Sequence, residues 1–127
     1  MDVTPLIREG QQIIQSYTAG AFRISGISYE HAVLTSPTQT IAWEDASNFQ
    51  SLNIDHFQSL IENSDQIDVL LVGTGDQMAF MDIALKNELS TKGLPVDVMD
   101  TGAACRTYNV LMAEGRRVVA ALLPTNK

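Results

Sequence analysis

With 127 residues, 45% of them hydrophobic and 18% charged, the chain has the size and composition of one globular domain, which we expect to span residues 1–127. Fifteen acidic residues against eight basic ones give a net charge of −7, which argues against nucleic acid and anionic membranes as partners, because both attract Lys and Arg. No apolar run approaches the roughly 20 residues that cross a bilayer, so we expect no integral membrane segment.

The first half of the chain predicts antiparallel β structure. Short runs of β-branched and aromatic residues are separated by Gly, Ser, Pro and Thr, which favour turns. Phe22 and Ile24 alternate with polar neighbours, as in a half-buried strand. The spacing fits a meander of hairpins with predicted strands at residues 13–17, 22–24, 27–35 and 40–43.

The second half predicts strands that alternate with helices. Asn53 is suited to cap a helix that has Ile54, Phe57, Leu60 and Ile61 on one face. Residues 68–72 then form a run that is continuously apolar after its first residue. Such a run is typical of a strand that is covered on both faces.

A further helix is expected after the turn at residues 73–75, because four apolar residues have the spacing of one helix face. Lys92 supplies a cation in its last turn and Gly93 a glycine stop, and both are typical of a helix C-terminus. The apolar residues of this stripe are Met78, Met81, Leu85 and Leu89.

The remaining elements complete a three-layer α/β domain. The strand expected at 95–99 alternates in polarity, as a strand near a sheet edge does. Thr101 is suited to cap a helix that runs to Glu114, and residues 118–123 predict a second strand that is buried on both faces. Strands connected through helices run parallel with right-handed crossovers. We therefore predict a mixed central sheet with helices and an additional antiparallel β layer.

Two strand-to-helix turns make a candidate ligand site. If their strands are parallel neighbours, the turn at 73–75 and the turn at 100–102 open on the same edge of the sheet, where ligands of open α/β sheets bind. Free N–H groups at a helix N-terminus also attract anions. The alternative is structural: a tight turn of two glycines, with Asp100 and Thr101 as helix caps. Met78 stands where a dinucleotide fingerprint needs a glycine.

Polar residues on the last helix extend this candidate site. Cys105 lies near a helix N-terminus beside Arg106, which can lower the pKa of a thiol, although free cysteines are among the most buried residues and a packed Cys105 is the favoured interpretation. Asn109 in mid-helix indicates a specific hydrogen bond. The candidate binding residues are Gly73, Thr74, Gly75, Asp100, Thr101, Cys105, Arg106, Thr107, Asn109 and Arg116.

The sequence contains no arrangement of residues that predicts catalysis. His31 and His56 lack metal-ligand spacing from other ligand-type residues, and no nucleophile motif or P-loop is present. We therefore predict no enzyme, cofactor or metal. The single cysteine and the absence of a signal peptide at the start favour a cytoplasmic location.

Three segments of the chain resemble a known family. The longest is MDTGAACRTYNVLMAEGRRVVAALLP at 99–124, and LLVGTG at 70–75 and GAFRI at 20–24 also match. The family groups small single-domain proteins of unknown biochemical activity. It includes the mitochondrial NADH dehydrogenase (complex I) assembly factor 3 and an adipogenesis-associated human protein.

This resemblance implies a three-layer α/β fold with a mixed sheet, no established catalysis and, for the mitochondrial member, assembly of a membrane complex through protein contacts. The chain starts without a mitochondrial presequence, which we interpret as the mark of a bacterial-type member. A proline expected after the glycine turn is absent and Phe80–Met81 stands near that place, so a different entry into the next helix is expected.

We predict a non-enzymatic protein that contacts protein partners as an assembly factor does, with a homodimer as one expected arrangement. The alternative is a small-molecule or nucleotide-binding protein that uses the crevice at the carboxyl ends of strands 68–73 and 95–99. An exposed apolar patch of more than a few hundred Å² would favour the first function. A pocket with perturbed ionisable groups would favour the second.

Overall fold

The computed structural model describes residues 10–126. Residues 1–9, on which the expectation about targeting segments depends, lie outside the described part, as does residue 127. The described strands are β1 Ile14–Thr18, β2 Ala21–Ile24, β3 Ile27–Tyr29, β4 Val33–Thr35, β5 Thr40–Ala42, β6 Val69–Gly73, β7 Val96–Met99 and β8 Val118–Leu122. The described α-helices are α1 Gln58–Glu62, α2 Ile83–Thr91 and α3 Thr101–Ala113.

The strands form two sheets. An antiparallel meander has the order β1-β2-β3, and a five-stranded sheet has the order β5-β4-β8-β6-β7. In the larger sheet β6 is parallel to both β7 and β8, whereas β4 is antiparallel to β8 and β5. The predicted mixed central sheet is therefore confirmed, and so is the position of β7 at its edge.

Both faces of the central sheet are covered, because alternate residues of a strand point to opposite sides. Leu70 and Val72 of β6 pack in a cluster with residues of α1 and α2, such as Leu60 and Leu89. Leu71 lies in a second cluster, which α3 and the small sheet supply. The three layers are thus α1 with α2, the central sheet, and α3 with the small sheet, as predicted.

The single strand predicted at residues 27–35 is wrong. Residues 27–35 form two strands that belong to different sheets, because β3 pairs with β2 whereas β4 pairs with β8. The chain leaves the small sheet at Glu30 and His31, where the His31 Nδ1 lies 2.9 Å from the Ala32 carbonyl oxygen. The apolar pattern of the segment does not record this change of sheet.

The helix expected from Met78 begins later, at Ile83. Thr74 holds the preceding loop through a 2.6 Å hydrogen bond from its hydroxyl to the Gln77 carbonyl. Met81 is buried in the core although it is not part of the helix, so its helical spacing from Leu85 does not reflect a shared helix face. The predicted end of the helix is confirmed: Lys92 is the C-terminal cap, and Gly93 follows with a φ of +90°, a conformation that glycine adopts without strain.

Asn53 begins a helical segment, as predicted. Its side chain accepts a hydrogen bond from the Asp55 N–H, and the His56 Nδ1 accepts one from the Asn53 N–H. This capping box opens a 3-10 helix at Ile54–Phe57, which continues into α1. Phe57 and Leu60 of this segment are buried.

Candidate functional site

The two strand-to-helix turns do meet at one edge of the sheet. β6 and β7 are parallel with Gly73 opposite Met99, so both turns follow the carboxyl ends of neighbouring strands. The Thr74 N–H donates to the Met99 carbonyl and the Thr101 N–H donates to the Gly75 carbonyl. The predicted juxtaposition of residues 73–75 with residues 100–101 is therefore confirmed.

The side chain of Thr101 ties this edge together from the inside. It is fully buried, and its hydroxyl accepts a 2.9 Å hydrogen bond from the Gly75 N–H and donates a 2.7 Å bond to the Leu123 carbonyl. The prediction that Thr101 caps α3 is wrong, because Thr101 is the first residue of the helix itself. Asp100 is the cap, because its Oδ1 accepts a 2.8 Å bond from the Ala103 N–H.

The glycines of the edge serve close packing. A Cβ at residue 73 would lie 2.9 Å from the Thr101 hydroxyl oxygen and 3.0 Å from a methyl group of Leu122. Gly75 has a φ of +109°, which disfavours side chains with a Cβ. The N–H groups of Thr74 and Gly75 are bonded within the chain. The N–H groups that could have bound an anion thus form hydrogen bonds to residues 99 and 101, and these bonds hold α3 against the sheet.

The N-terminus of α3 is occupied in the same way. The Asp100 carboxylate supplies the negative charge that favours a helix N-terminus. The hydroxyl of Tyr17 lies against Gly102, where an added Cβ would collide with it. Residues of this chain therefore fill the positions that an anionic ligand would take.

Cys105 is a buried residue of α3 and belongs to the core of the α3 layer. Burial raises the pKa of its thiol from 9.0 to about 12, and the nearby Arg106 opposes this shift only partly. The thiol is therefore neutral at physiological pH, whereas a nucleophilic cysteine requires the thiolate. The packed interpretation fits this environment.

Asn109 holds the specific hydrogen bonds that its position in mid-helix predicted. Its Oδ1 accepts a 3.0 Å bond from the Ile14 N–H, and its Nδ2 donates a 2.8 Å bond to the Ile14 carbonyl. The amide side chain thus pairs with β1 as a neighbouring strand would. One residue earlier, the Tyr108 hydroxyl donates to the Gln12 carbonyl at 2.7 Å.

The ten candidate residues do not converge on one place. Five of them, at 73–75 and 100–101, lie at the carboxyl edge of the sheet, while Arg116 follows the other end of α3. A helix of thirteen residues is about 20 Å long at 1.5 Å per residue. Cys105, Thr107 and Asn109 are buried or half-buried along α3, and Arg106 is exposed.

A groove of about 630 Å³ lies at the opposite, amino edge of the central sheet. The β4–β5 hairpin, the end of α1 and the start of β8 form its walls. Two arginines, Arg116 and Arg117, stand at its rim. The two arginines after Gly115 were the only feature of the sequence that pointed to this site. Their position is explained equally well by the favourable interaction of cations with the C-terminal end of a helix dipole.

The two arginines differ in their partners. Arg117 forms an ion pair with Asp68, with 2.8 Å between Nη2 and Oδ1, and its main-chain N–H also donates to that carboxylate. These bonds lower the pKa of Asp68 and raise the pKa of Arg117. The guanidinium of Arg116 has no hydrogen-bond or ion-pair partner within the described part of the chain.

A second surface feature lies in the loop before α2. Phe80 is 88% exposed, Ile83 is 74% exposed and Met78 is 49% exposed. Phe80 also borders an apolar depression of about 240 Å³ that Phe49 and Leu85 help to line. We call Met78, Phe80 and Ile83 the 78–83 surface. The sequence placed these residues in a helix and so predicted no such surface.

Residues 10–126 contain no cluster of three or more His, Cys, Asp or Glu side chains arranged to hold a metal ion. None of the helices in the same part of the chain has the length and apolar character needed to cross a membrane.

The small sheet, the mixed sheet and the fastening of α3 define a class of small α/β domain that is found in other proteins. Residues 14–123 match the profile of a family described as a protein of unknown function (DUF498/DUF598). The chain belongs to this family, and the resemblance of its C-terminal segment is thereby confirmed.

Three relatives cover most of the chain. An uncharacterised protein of Rhodobacter capsulatus is 36% identical over 111 residues, which are 87% of this chain and 83% of that protein. NADH dehydrogenase (ubiquinone) 1 alpha subcomplex assembly factor 3 of Xenopus tropicalis is 31% identical over 124 residues, or 96% of this chain and 67% of the relative. The 13 kDa major membrane protein of Francisella tularensis is 30% identical over 105 residues, or 82% and 84%.

Solved structures share the fold. The crystal structure of a Bordetella parapertussis protein has a TM-score of 0.81 and 34% identity, and the match covers 91% of this chain and 97% of that chain. The solution structure of a Mth938-like domain from Bordetella pertussis has a TM-score of 0.81 and 27% identity, with 98% and 92% covered. The two-sheet α/β architecture is thus common to bacterial proteins with solved structures.

Proposed function

We propose that this protein is a docking factor that contacts a protein partner through the 78–83 surface, in the manner of an assembly factor. The observation that carries the proposal is the exposure of Met78, Phe80 and Ile83 within six consecutive residues. Aromatic side chains alone bury about 150–250 Å² each when covered. Exposed apolar clusters of this kind mark sites of protein interaction.

The relatives support this class of function. The Xenopus relative is named as an assembly factor of NADH dehydrogenase and covers nearly all of the present chain. The name of that relative describes the assembly of a protein complex, which requires contacts with other proteins. The same mode of action in this chain requires a surface that a partner covers, and the 78–83 surface has the composition of one.

Charge favours a different protein over a second copy as the partner. Asp76 and Asp82 flank the exposed loop, and Lys86 and Glu88 follow on α2, so the neighbourhood is acidic overall. A second copy carries the same net charge of −7, and like charges that are brought together oppose association. We therefore expect the partner to present an apolar segment that is bordered by Lys or Arg.

A photo-crosslinking residue at position 80 tests the proposal directly in the native cell. Phe80 is almost fully exposed, so a benzophenone side chain at this position leaves the core intact. We expect illumination to join this variant to one defined protein, and the same probe at the exposed Val110 of α3 to leave that protein unjoined. Equal crosslinking from both positions would contradict docking at the 78–83 surface.

Substitution provides the complementary test. Phe80→Ser with Ile83→Ser should abolish co-purification of the crosslinked protein, while Ile27→Ser, which changes an exposed isoleucine of the small sheet, should leave it unchanged. If the wild type instead co-purifies with a metabolite and with no protein, the docking proposal is contradicted and a ligand-binding function replaces it.

A further inference from the structure

The groove at the amino edge has a charge that differs from the rest of the chain. Fifteen acidic residues occur in the sequence, yet among residues 10–126 those that line the groove include Arg116 and Arg117 and no Asp or Glu. Asp68 is in direct contact with Arg117 and lies near enough to Arg116 for the pKa of Asp68 to be lowered by that charge as well. The feature that sets Arg116 apart is therefore that its guanidinium donors are not bonded within the described residues. These free donors suit an anionic group of a ligand.

The floor of the groove is apolar. Leu34, Leu60 and Val119 line it from the central sheet and α1, and Ile41 of the edge strand β5 forms part of its side. Ile41 is 46% exposed, whereas the other three are buried and expose only 7–8% of their surface to the groove and its surroundings. Together with Arg116 at the rim, this floor matches a ligand with an apolar body and an anionic end.

The wall of the groove is held in place by hydrogen bonds. Thr35 and Thr40 have their hydroxyl oxygens 2.7 Å apart across the β4–β5 hairpin, and Thr40 donates to the Gln12 side chain at 2.8 Å. The Gln12 N–H donates to the Pro37 carbonyl, and Tyr108 of α3 donates to the Gln12 carbonyl. A wall that is fixed before binding reduces the entropy that a ligand must overcome.

We propose that this groove binds a straight-chain aliphatic carboxylate, with the carboxylate at Arg116 and the alkyl chain over Ile41 and the apolar floor. Its volume of about 630 Å³ lies within the range of roughly 300–1,000 Å³ that is typical of small-molecule sites. Arginine binds a carboxylate through two parallel N–H donors, which fixes the orientation of the ligand. The site is separate from the 78–83 surface and does not depend on it.

Nuclear magnetic resonance titration with decanoate, below its micellar concentration, tests the proposal. We expect the amide resonances of residues 36, 38, 39 and 115–119 to shift, and acetate and decanol to bind at least about tenfold more weakly, because each has only one half of the required chemistry. Lengthening the chain from octanoate should tighten binding by up to roughly fourfold per methylene until the groove is filled. Decanol that binds as tightly as decanoate would overturn the proposal.

Two matched pairs of variants locate the site. Arg116→Ala should weaken decanoate binding at least about tenfold, whereas Arg106→Ala removes the same charge from an exposed arginine in the first half of α3 and should have no effect. Ile41→Ser should weaken the alkyl contact, whereas Ile27→Ser on the small sheet should not. Equal effects within either pair, or shifts that map to residues 78–83, would show that the carboxylate does not bind in this groove.

Discussion

Thr101 shows how one side chain can secure the junction of three elements. Its hydroxyl links the first turn of α3 to the loop after β6 and to the end of β8, through Gly75 and Leu123. The two partners are 26 and 22 residues away in sequence, so the local pattern around Thr101 could predict only a helix cap. The role of Thr101 depends on the tertiary fold, which no local pattern records.

Replacing Thr101 by valine should destabilise the protein by about 2–4 kcal/mol, because a buried N–H and a buried carbonyl each lose their partner. Thr101→Ser keeps the hydroxyl and should cost less than about 1.5 kcal/mol. Urea unfolding of the two variants and the wild type measures the difference in the free energy of unfolding. If valine is tolerated as well as serine, the hydrogen bonds of Thr101 contribute little to stability.

At the scale of elements, α3 secures the first strand of the small sheet. Asn109 bonds to both main-chain groups of Ile14, and β1 is an outer strand of its sheet. An outer strand leaves half of its main-chain groups without a neighbouring strand. Asn109 supplies part of that missing neighbour from a helix.

Asn109→Ala should therefore loosen β1 selectively. We expect the Ile14 amide to exchange with solvent at least about tenfold faster, and the unfolding free energy to fall by about 1–3 kcal/mol, since two half-buried hydrogen bonds are lost. Thr107→Ala, two residues away in α3, is the control and should leave exchange in β1 unchanged. Hydrogen exchange of β1 and β2 resolves the effect, and unaltered protection of Ile14 would contradict it.

The sequence predicts an element best where its pattern of apolar residues has a single structural explanation. The apolar runs of β6 and β8 indicate their burial because both faces of these strands are covered. The predicted start of α2 is wrong because Met81, which is buried, belongs to the loop before the helix and not to a face of the helix. The division of 27–35 between two sheets, and the groove beside Arg116, depend on contacts between distant segments that leave no local periodicity.

At the scale of the whole molecule, two weak acids in the α3 layer connect stability to pH. Burial raises the pKa of Cys105 from 9.0 to about 12, and burial also raises the pKa of Tyr108 from 10.0 to about 12. Unfolding exposes both groups and returns their pKa values to the ordinary range. Between pH 9 and pH 12 the folded chain therefore holds protons that the unfolded chain has released.

The free energy of unfolding should consequently be insensitive to these groups below pH 9 and fall above it, by up to about 1.4 kcal/mol per pH unit for each group. Cys105→Ala removes the thiol and leaves every Lys, Arg and Tyr in place. The difference between variant and wild type should be constant from pH 7 to pH 8.5 and move by about 2 kcal/mol in favour of the variant by pH 10.5. Urea unfolding across this range measures that difference, and parallel curves would mean that the thiol ionises as readily in the folded protein as in the unfolded chain.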